Sequence, residues 1–204
     1  TSSGAEPATK RSADEPANVL RGAGFHFIAD AQSINPDIEV EALRWGEPSW
    51  TQGDPDLRYQ WYKETIDAAY DTYGVEFDYM SPSQNEVAAA YMPGELAWTV
   101  DFAQRLEADA DADDARYDYS EVKIVALDSY RNVGRVASLI LDSPEALEQV
   151  DAIGYHYDIA GDPNLTRLNK EFGMEVLYSE GVAPMIEPEY RLNVEPGRGG
   201  IGGA

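Results

Sequence analysis

The sequence predicts an α/β fold of the (β/α)8 TIM-barrel type, on three observations. Five short apolar runs alternate with stretches of helical periodicity, and strands separated by helices pair in parallel through right-handed crossovers. Trp45, Asn85-Glu86, Asp128, His156 and Glu180 each stand at or just past the carboxyl end of a different predicted strand. That is the face from which a barrel draws its chemistry, one residue from each of several strands. No Gly-rich loop precedes a helix, whereas a doubly wound sheet would concentrate its site at one switch point, often with such a loop.

Residues 1–22 are rich in Ser, Ala, Pro and charge and read as a loop-rich segment. Apolar residues at helical spacing over Phe25 to Ser33 run into the stop signal Asn35-Pro36. A short β-type run, Ile38 to Leu43, leads to the aromatic stretch around Trp45 and Trp50. Leu57 to Tyr73 has helical periodicity, with its tyrosines packing into the core and Gly74 closing it. The next strand, Phe77 to Met80, precedes Ser81-Pro82-Ser83-Gln84-Asn85-Glu86, and a helix runs near Pro93 to Glu107. Strand Val122 to Leu127, helix Val133 to Leu141, strand Val150 to Tyr155, helix Asn164 to Phe172 and strand Glu175 to Tyr178 complete the pattern. Residues 23–196 form the expected barrel portion, and 197–204 a Gly-rich tail.

Composition narrows the function classes. With 38 Asp and Glu against 15 Lys and Arg in 204 residues, the net charge is −23, which repels nucleic acid and anionic membranes. The acidic excess reads as a solvated surface, densest at Glu107 to Asp114. No apolar run approaches the roughly 20 residues of a membrane span, so no stable membrane insertion is expected. Cys is absent, which excludes disulfides and thiolate chemistry. The two histidines, His26 and His156, have no spaced metal-ligand pattern, so no metal site is expected.

The pair that carries chemistry is Glu86 and Glu180. Retaining glycosidic cleavage needs a proton donor for the leaving oxygen and a carboxylate nucleophile on the opposite face. These two stand 94 residues apart, or three βα units of roughly 30 residues each. Seven blocks then occur in a telling order: Gly4-Ala5-Glu6-Pro7; Phe27-Ile28-Ala29-Asp30-Ala31 with Asn35-Pro36; Leu43-Arg44-Trp45 with Pro48-Ser49-Trp50; Asp78-Tyr79 leading to Asn85-Glu86; Lys123-Ile124-Val125-Ala126 with Asp128; residues 150–157, ending Tyr155-His156-Tyr157; and Leu177-Tyr178-Ser179-Glu180. Together they resemble clan A of the glycoside hydrolases, and more closely family 59, the galactocerebrosidase (galactosylceramidase) family. Two departures are Ser83-Gln84, where the family is more apolar, and Gly181, where its mammalian members carry an acid.

The resemblance implies a partial barrel covering about strands 3 to 7, which needs the remaining strands of a longer parent chain. It implies Glu86 as acid/base, Glu180 as nucleophile, Asn85 on the sugar 2-hydroxyl and Trp45 lining the galactose pocket. His156 and Tyr157 fall near the nucleophile. No cofactor is implied. The substrate is a carbohydrate or glycolipid, namely galactosylceramide or another terminal β-galactoside, and the enzyme is exported. Trp50 either packs in the core or stacks on sugar, and Asp128 either binds substrate or caps the next helix. The alternatives are a clan relative acting on another glycoside (a β-glucosidase, xylanase or galactanase) and an inactive sugar-binding fragment.

Overall fold

The computed structural model describes residues 9–21, 23–112, 118–129, 133–156 and 162–180. Within them the chain forms α1 (Gly24–Ile34), β1 (Glu41–Arg44), α2 (Pro55–Tyr73), β2 (Tyr79–Gln84) and α3 (Met92–Ala110). A 3-10 turn at Tyr119–Glu121 leads to β3 (Lys123–Ser129), α4 (Val133–Leu141), α5 (Pro144–Gln149), β4 (Ala152–His156), α6 (Pro163–Phe172) and β5 (Glu175–Glu180). The strand order is β1-β2-β3-β4-β5. A doubly wound sheet reverses direction at its switch point; this one does not, as expected of a barrel. The expected 197–204 tail lies outside the described residues.

Three helices begin in the same way. Asp54, Ser143 and Asp162 each cap a helix whose next residue is proline, at α2, α5 and α6. The cap side chain accepts backbone N–H groups that have no partner inside the helix, and proline has no N–H to leave unpaired. Asp54 takes the N–H groups of Asp56 and Leu57 at 2.9 and 3.2 Å. Gly74 ends α2 with φ of 70° and Gly173 ends α6 with φ of 74°, the left-handed turn that glycine adopts without a Cβ clash.

Two compact units share the chain. The first holds residues 1–80 and 104–122, the second 81–103 and 123–204, so β2 and α3 run through both. In the first, α2 buries Tyr62, Ile66 and Ala69, while Tyr59 is half-buried and its hydroxyl donates to Asp109 at 2.7 Å. Among the described residues before α1, 9–21 carry no helix or strand but are fastened to α2. Trp61 donates to Thr9 at 3.1 Å, Gln60 to the Ala13 carbonyl at 3.1 Å, and the buried Lys10 ammonium pairs with Glu64.

In the second unit β3, β4 and β5 pair in parallel. Ala126, Leu127 and Ile153 from the strands, Val136, Ala137 and Ile140 from α4, and Leu168 from α6 form one buried cluster. Amphipathic helices laid on one face of a parallel sheet account for this core.

The first unit carries an acid-sensitive bond set. Burial works to raise the Glu47 carboxyl, but hydrogen bonds from Arg58 and Thr51 outweigh it and leave it below the ordinary value of 4.5. Glu15 is held down to about 2 by its hydrogen bond from Arg21, then by the Arg11 backbone N–H. A carboxyl depressed in the folded state contributes stability above its unfolded pKa and loses it as pH falls through its folded pKa. Arg58→Met is therefore expected to be less stable than the wild type at neutral pH, with the gap narrowing below pH 4.5. Urea unfolding of both proteins at a series of pH values measures this, and a gap independent of pH would refute it.

Candidate active site

The second unit brings four of the expected residues together, and two local irregularities in the sheet make this possible. On β3 the register steps from Ala126↔Ile153 to Ser129↔Tyr155, which puts one extra residue in β3. On β5 it steps from Tyr155↔Tyr178 to His156↔Glu180, with Ser179 as the extra residue. Both are β-bulges, which re-aim side chains and favour the neighbourhood of functional sites. At the first, Leu127 takes a φ of 47°, and its N–H donates to the Ser83 hydroxyl at 3.1 Å.

Those re-aimed side chains meet across the strand between them. The Asp128 carboxylate is fully buried, and its Oδ1 accepts the Ser179 hydroxyl at 2.5 Å. The same hydroxyl lies 3.3 Å from the Tyr155 carbonyl oxygen. The contact passes over Gly154 on β4, where an added Cβ would fall inside the Asp128 carboxylate. Glycine is required here by close approach. Asp128 lies within β3, well before the start of α4, so its position is not that of a helix cap.

Glu86 sits in the turn after β2. It has a φ of 53°, a left-handed conformation uncommon for a residue with a side chain and one that clusters at functional sites. Its N–H donates to the Asp128 carbonyl at 3.0 Å. The preceding strand end is held by α3: Trp98 donates its indole N–H to the Pro82 carbonyl at 2.9 Å, and Glu95 accepts the Gln84 N–H at 2.9 Å. The Glu86 carboxylate keeps 23% of its surface exposed. Its Oε1 lies 3.2 Å from Nδ1 of the fully buried His156, and His156 Nε2 is 3.7 Å from Asp128 Oδ1. A buried imidazole thus stands between two carboxylates.

Beside it, Asn85 is buried, and neither its amide nitrogen nor its oxygen has a hydrogen-bond partner among the described residues. Such groups are rare in native interiors. An amide left so can satisfy a hydroxyl that enters the site.

Glu180 ends β5 opposite His156, and its side chain lies outside the described part, as does Tyr157. Trp45, in the first unit, follows β1 and is 54% exposed. It borders an apolar cavity of about 280 Å³ that Phe25, Ile28, Tyr62 and Phe77 also line. Trp50, in the same unit, donates its indole N–H to the Lys10 carbonyl at 3.0 Å, with the Lys10 ammonium 5.7 Å from the ring centre. Sequence reasoning missed Ser179 and Gly154. An isolated glycine inside an apolar strand signals a close approach, and Gly154 carried that signal. Among the described residues no group of three or more acidic or His side chains could hold a metal ion. No described helix is long and apolar enough to cross a membrane.

Comparison with known proteins gives the fold and the family. The crystal structure of SrfJ from Salmonella typhimurium superposes with a TM-score of 0.61 at 18% identity, over 82% of this chain and 41% of that one. That likeness concerns the fold, a partial α/β barrel. The galactocerebrosidase of Danio rerio is 27% identical over 173 residues, which cover 77% of this chain. The chain spans about a fifth, 22%, of that relative's length. The sequence profile of glycosyl hydrolase family 59 matches residues 1–187, and the chain belongs to that family.

Proposed function

We propose that the protein containing this chain is a retaining glycosidase of terminal β-galactosides, with Glu86 as acid/base and Glu180 as nucleophile. One observation carries the reading. His156 touches Glu86 through its side chain and pairs in register with Glu180 through its backbone, so the two glutamates flank one residue. In the first step Glu180 attacks the anomeric carbon while Glu86 protonates the departing oxygen. In the second, Glu86 takes a proton from water as that water displaces Glu180. A retaining pair needs carboxyl groups about 5–5.5 Å apart.

Asn85, buried and unpaired beside Glu86, is suited to the sugar 2-hydroxyl, whose hydrogen bonds strengthen in the transition state. Trp45 as a galactose contact rests on the family resemblance. Trp50, whose indole N–H is engaged with the Lys10 carbonyl, stays part of the same proposal as a sugar contact. Galactose as the sugar rests on the galactocerebrosidase relative. Galactosylceramide as the substrate, and an exported enzyme, are the finer forms of the same reading.

The test is turnover of a chromogenic β-galactoside by the full-length protein, with the first-formed anomer identified by NMR. A 2-fluoro-galactoside is used alongside to trap the intermediate for peptide mapping. Retained β configuration and a label on Glu180 are expected. An inverted product, or a label elsewhere, overturns the mechanism. Turnover of another β-glycoside in place of the galactoside overturns the sugar assignment alone.

A further inference from the structure

We propose that Asp128 is a positioning residue for the acid/base, acting through His156 on Glu86; this rests on the role proposed above for Glu86. An enclosed carboxylate is expensive unless it is paired and hydrogen-bonded. Asp128 is fully buried, and the fold gives up two ordinary features to seat it. The β3 ladder is broken by a bulge, and β4 carries no side chain where the carboxylate lies. A helix cap or a surface charge would need neither.

The reach of the carboxylate explains the arrangement. Oδ1 takes the Ser179 hydroxyl at 2.5 Å and stands 3.7 Å from His156 Nε2. On the other side of the ring, Nδ1 is 3.2 Å from Glu86 Oε1. A carboxyl group on each side of the imidazole holds the ring in one orientation. Held so, the ring keeps Nδ1 within hydrogen-bond distance of Glu86 Oε1. That oxygen is then occupied in both catalytic steps, and the other carboxyl oxygen of Glu86 is the one that carries the proton.

The protons balance without a new reactant. In the first step the proton leaves Glu86 for the glycosidic oxygen as the C–O bond breaks and the Glu180–carbon bond forms. In the second it returns to Glu86 from water as the water oxygen bonds to carbon and Glu180 departs. His156 takes no part in these transfers; Asp128 and His156 orient the acid/base and exchange nothing with the substrate. The Ser179 bond ties the same carboxylate to the residue before Glu180, which fixes where the ring lies relative to β5.

Leaving-group dependence separates this role from a scaffolding one. A dinitrophenyl galactoside needs no proton to lose its leaving group, whereas a phenyl or alkyl galactoside does. For Asp128→Asn in the full-length protein, kcat/KM is expected to fall by about 10²-fold on the alkyl substrate. On the dinitrophenyl substrate it should change by less than about 5-fold, outside the range of a general-acid contribution. Glu86→Gln measured in parallel should show the same pattern with a larger loss. Combining the two changes should add little to Glu86→Gln alone, since residues acting in one chain are not additive.

His156→Gln serves as a second probe with the same expected pattern, should Asp128→Asn fail to accumulate. Equal losses on both substrates, or full activity, overturn the proposal and leave Glu86 as the acid. If Glu86→Gln itself shows no leaving-group dependence, the acid/base reading falls and the Asp128 role falls with it.

Discussion

Glu180→Gln is expected to lower kcat by at least ~10³-fold on every galactoside tested, whatever its leaving group. The nucleophile forms the bond to the sugar, so a better leaving group does not replace it. The contrast with Glu86→Gln is the informative part. There kcat/KM falls by a comparable amount on unactivated substrates and little on activated ones, whose leaving group needs no proton, while kcat stays low because the second step lacks its base. Added azide sharpens the distinction. With Glu86 neutralised, azide enters as a nucleophile that needs no base and yields the β-galactosyl azide. With Glu180 neutralised, it attacks the intact substrate and yields the α anomer. Identical behaviour of the two variants would remove the division of labour between them.

The second large effect is structural. Gly154→Ala places a methyl group where the Asp128 carboxylate lies, and that carboxylate is enclosed on all sides. Overpacking of this kind costs about 1–3 kcal/mol by itself. Displacing a buried charge from its donor adds to it, since breaking one side of a buried polar pair costs about 3–5 kcal/mol. A total of roughly 4–8 kcal/mol corresponds to a fall in Tm on the order of 20 °C. Removing the obstacle provides the check. In Gly154→Ala combined with Asp128→Ala the methyl group has room, so stability should recover in part while activity stays low. A Gly154→Ala protein within about 0.5 kcal/mol of the wild type, the range of an ordinary surface change, would show that Asp128 can lie elsewhere.

Elements with strong periodicity were legible from the sequence. α4 spans Val133–Leu141 as its pattern predicts, and Gly74 ends α2 as expected. The pattern ends strand β2 at Met80, yet it runs on to Gln84 through Pro82. Proline argues against a central strand because it lacks an N–H, but here Trp98 takes up its carbonyl, the Ser83 hydroxyl accepts the Leu127 N–H and Glu95 accepts the Gln84 N–H. Those partners are 11 to 44 residues distant, so no local window contains them. Helix α5 escapes the pattern although Ser143-Pro144 announces it; six residues are too few for periodicity to speak.

Within the site, Asn85-Glu86, Asp128, His156 and Glu180 were all found at strand ends. Their connections were not. A bulge is a property of two strands together, and neither β3 nor β5 shows by itself which residue its neighbour leaves over. Ser179 therefore looks like an ordinary strand residue in the sequence, and Asp128 like a cap or a substrate ligand.

The two bulges also make this sheet sensitive to counting. A strand assigns its side chains to faces by parity, and each bulge changes that parity once. Deleting a single residue at Leu127 would restore a regular ladder and turn Asp128 to the opposite face of the sheet, with every chemical group still present. Loss of Ser179 would likewise restore a regular ladder between β4 and β5. Across descendants of this sequence, substitutions in β3 and β5 can be numerous, but their lengths are fixed. A variant one residue shorter in either strand would keep its fold and lose its alignment of carboxylates, which makes strand length a better guide to retained chemistry than percentage identity.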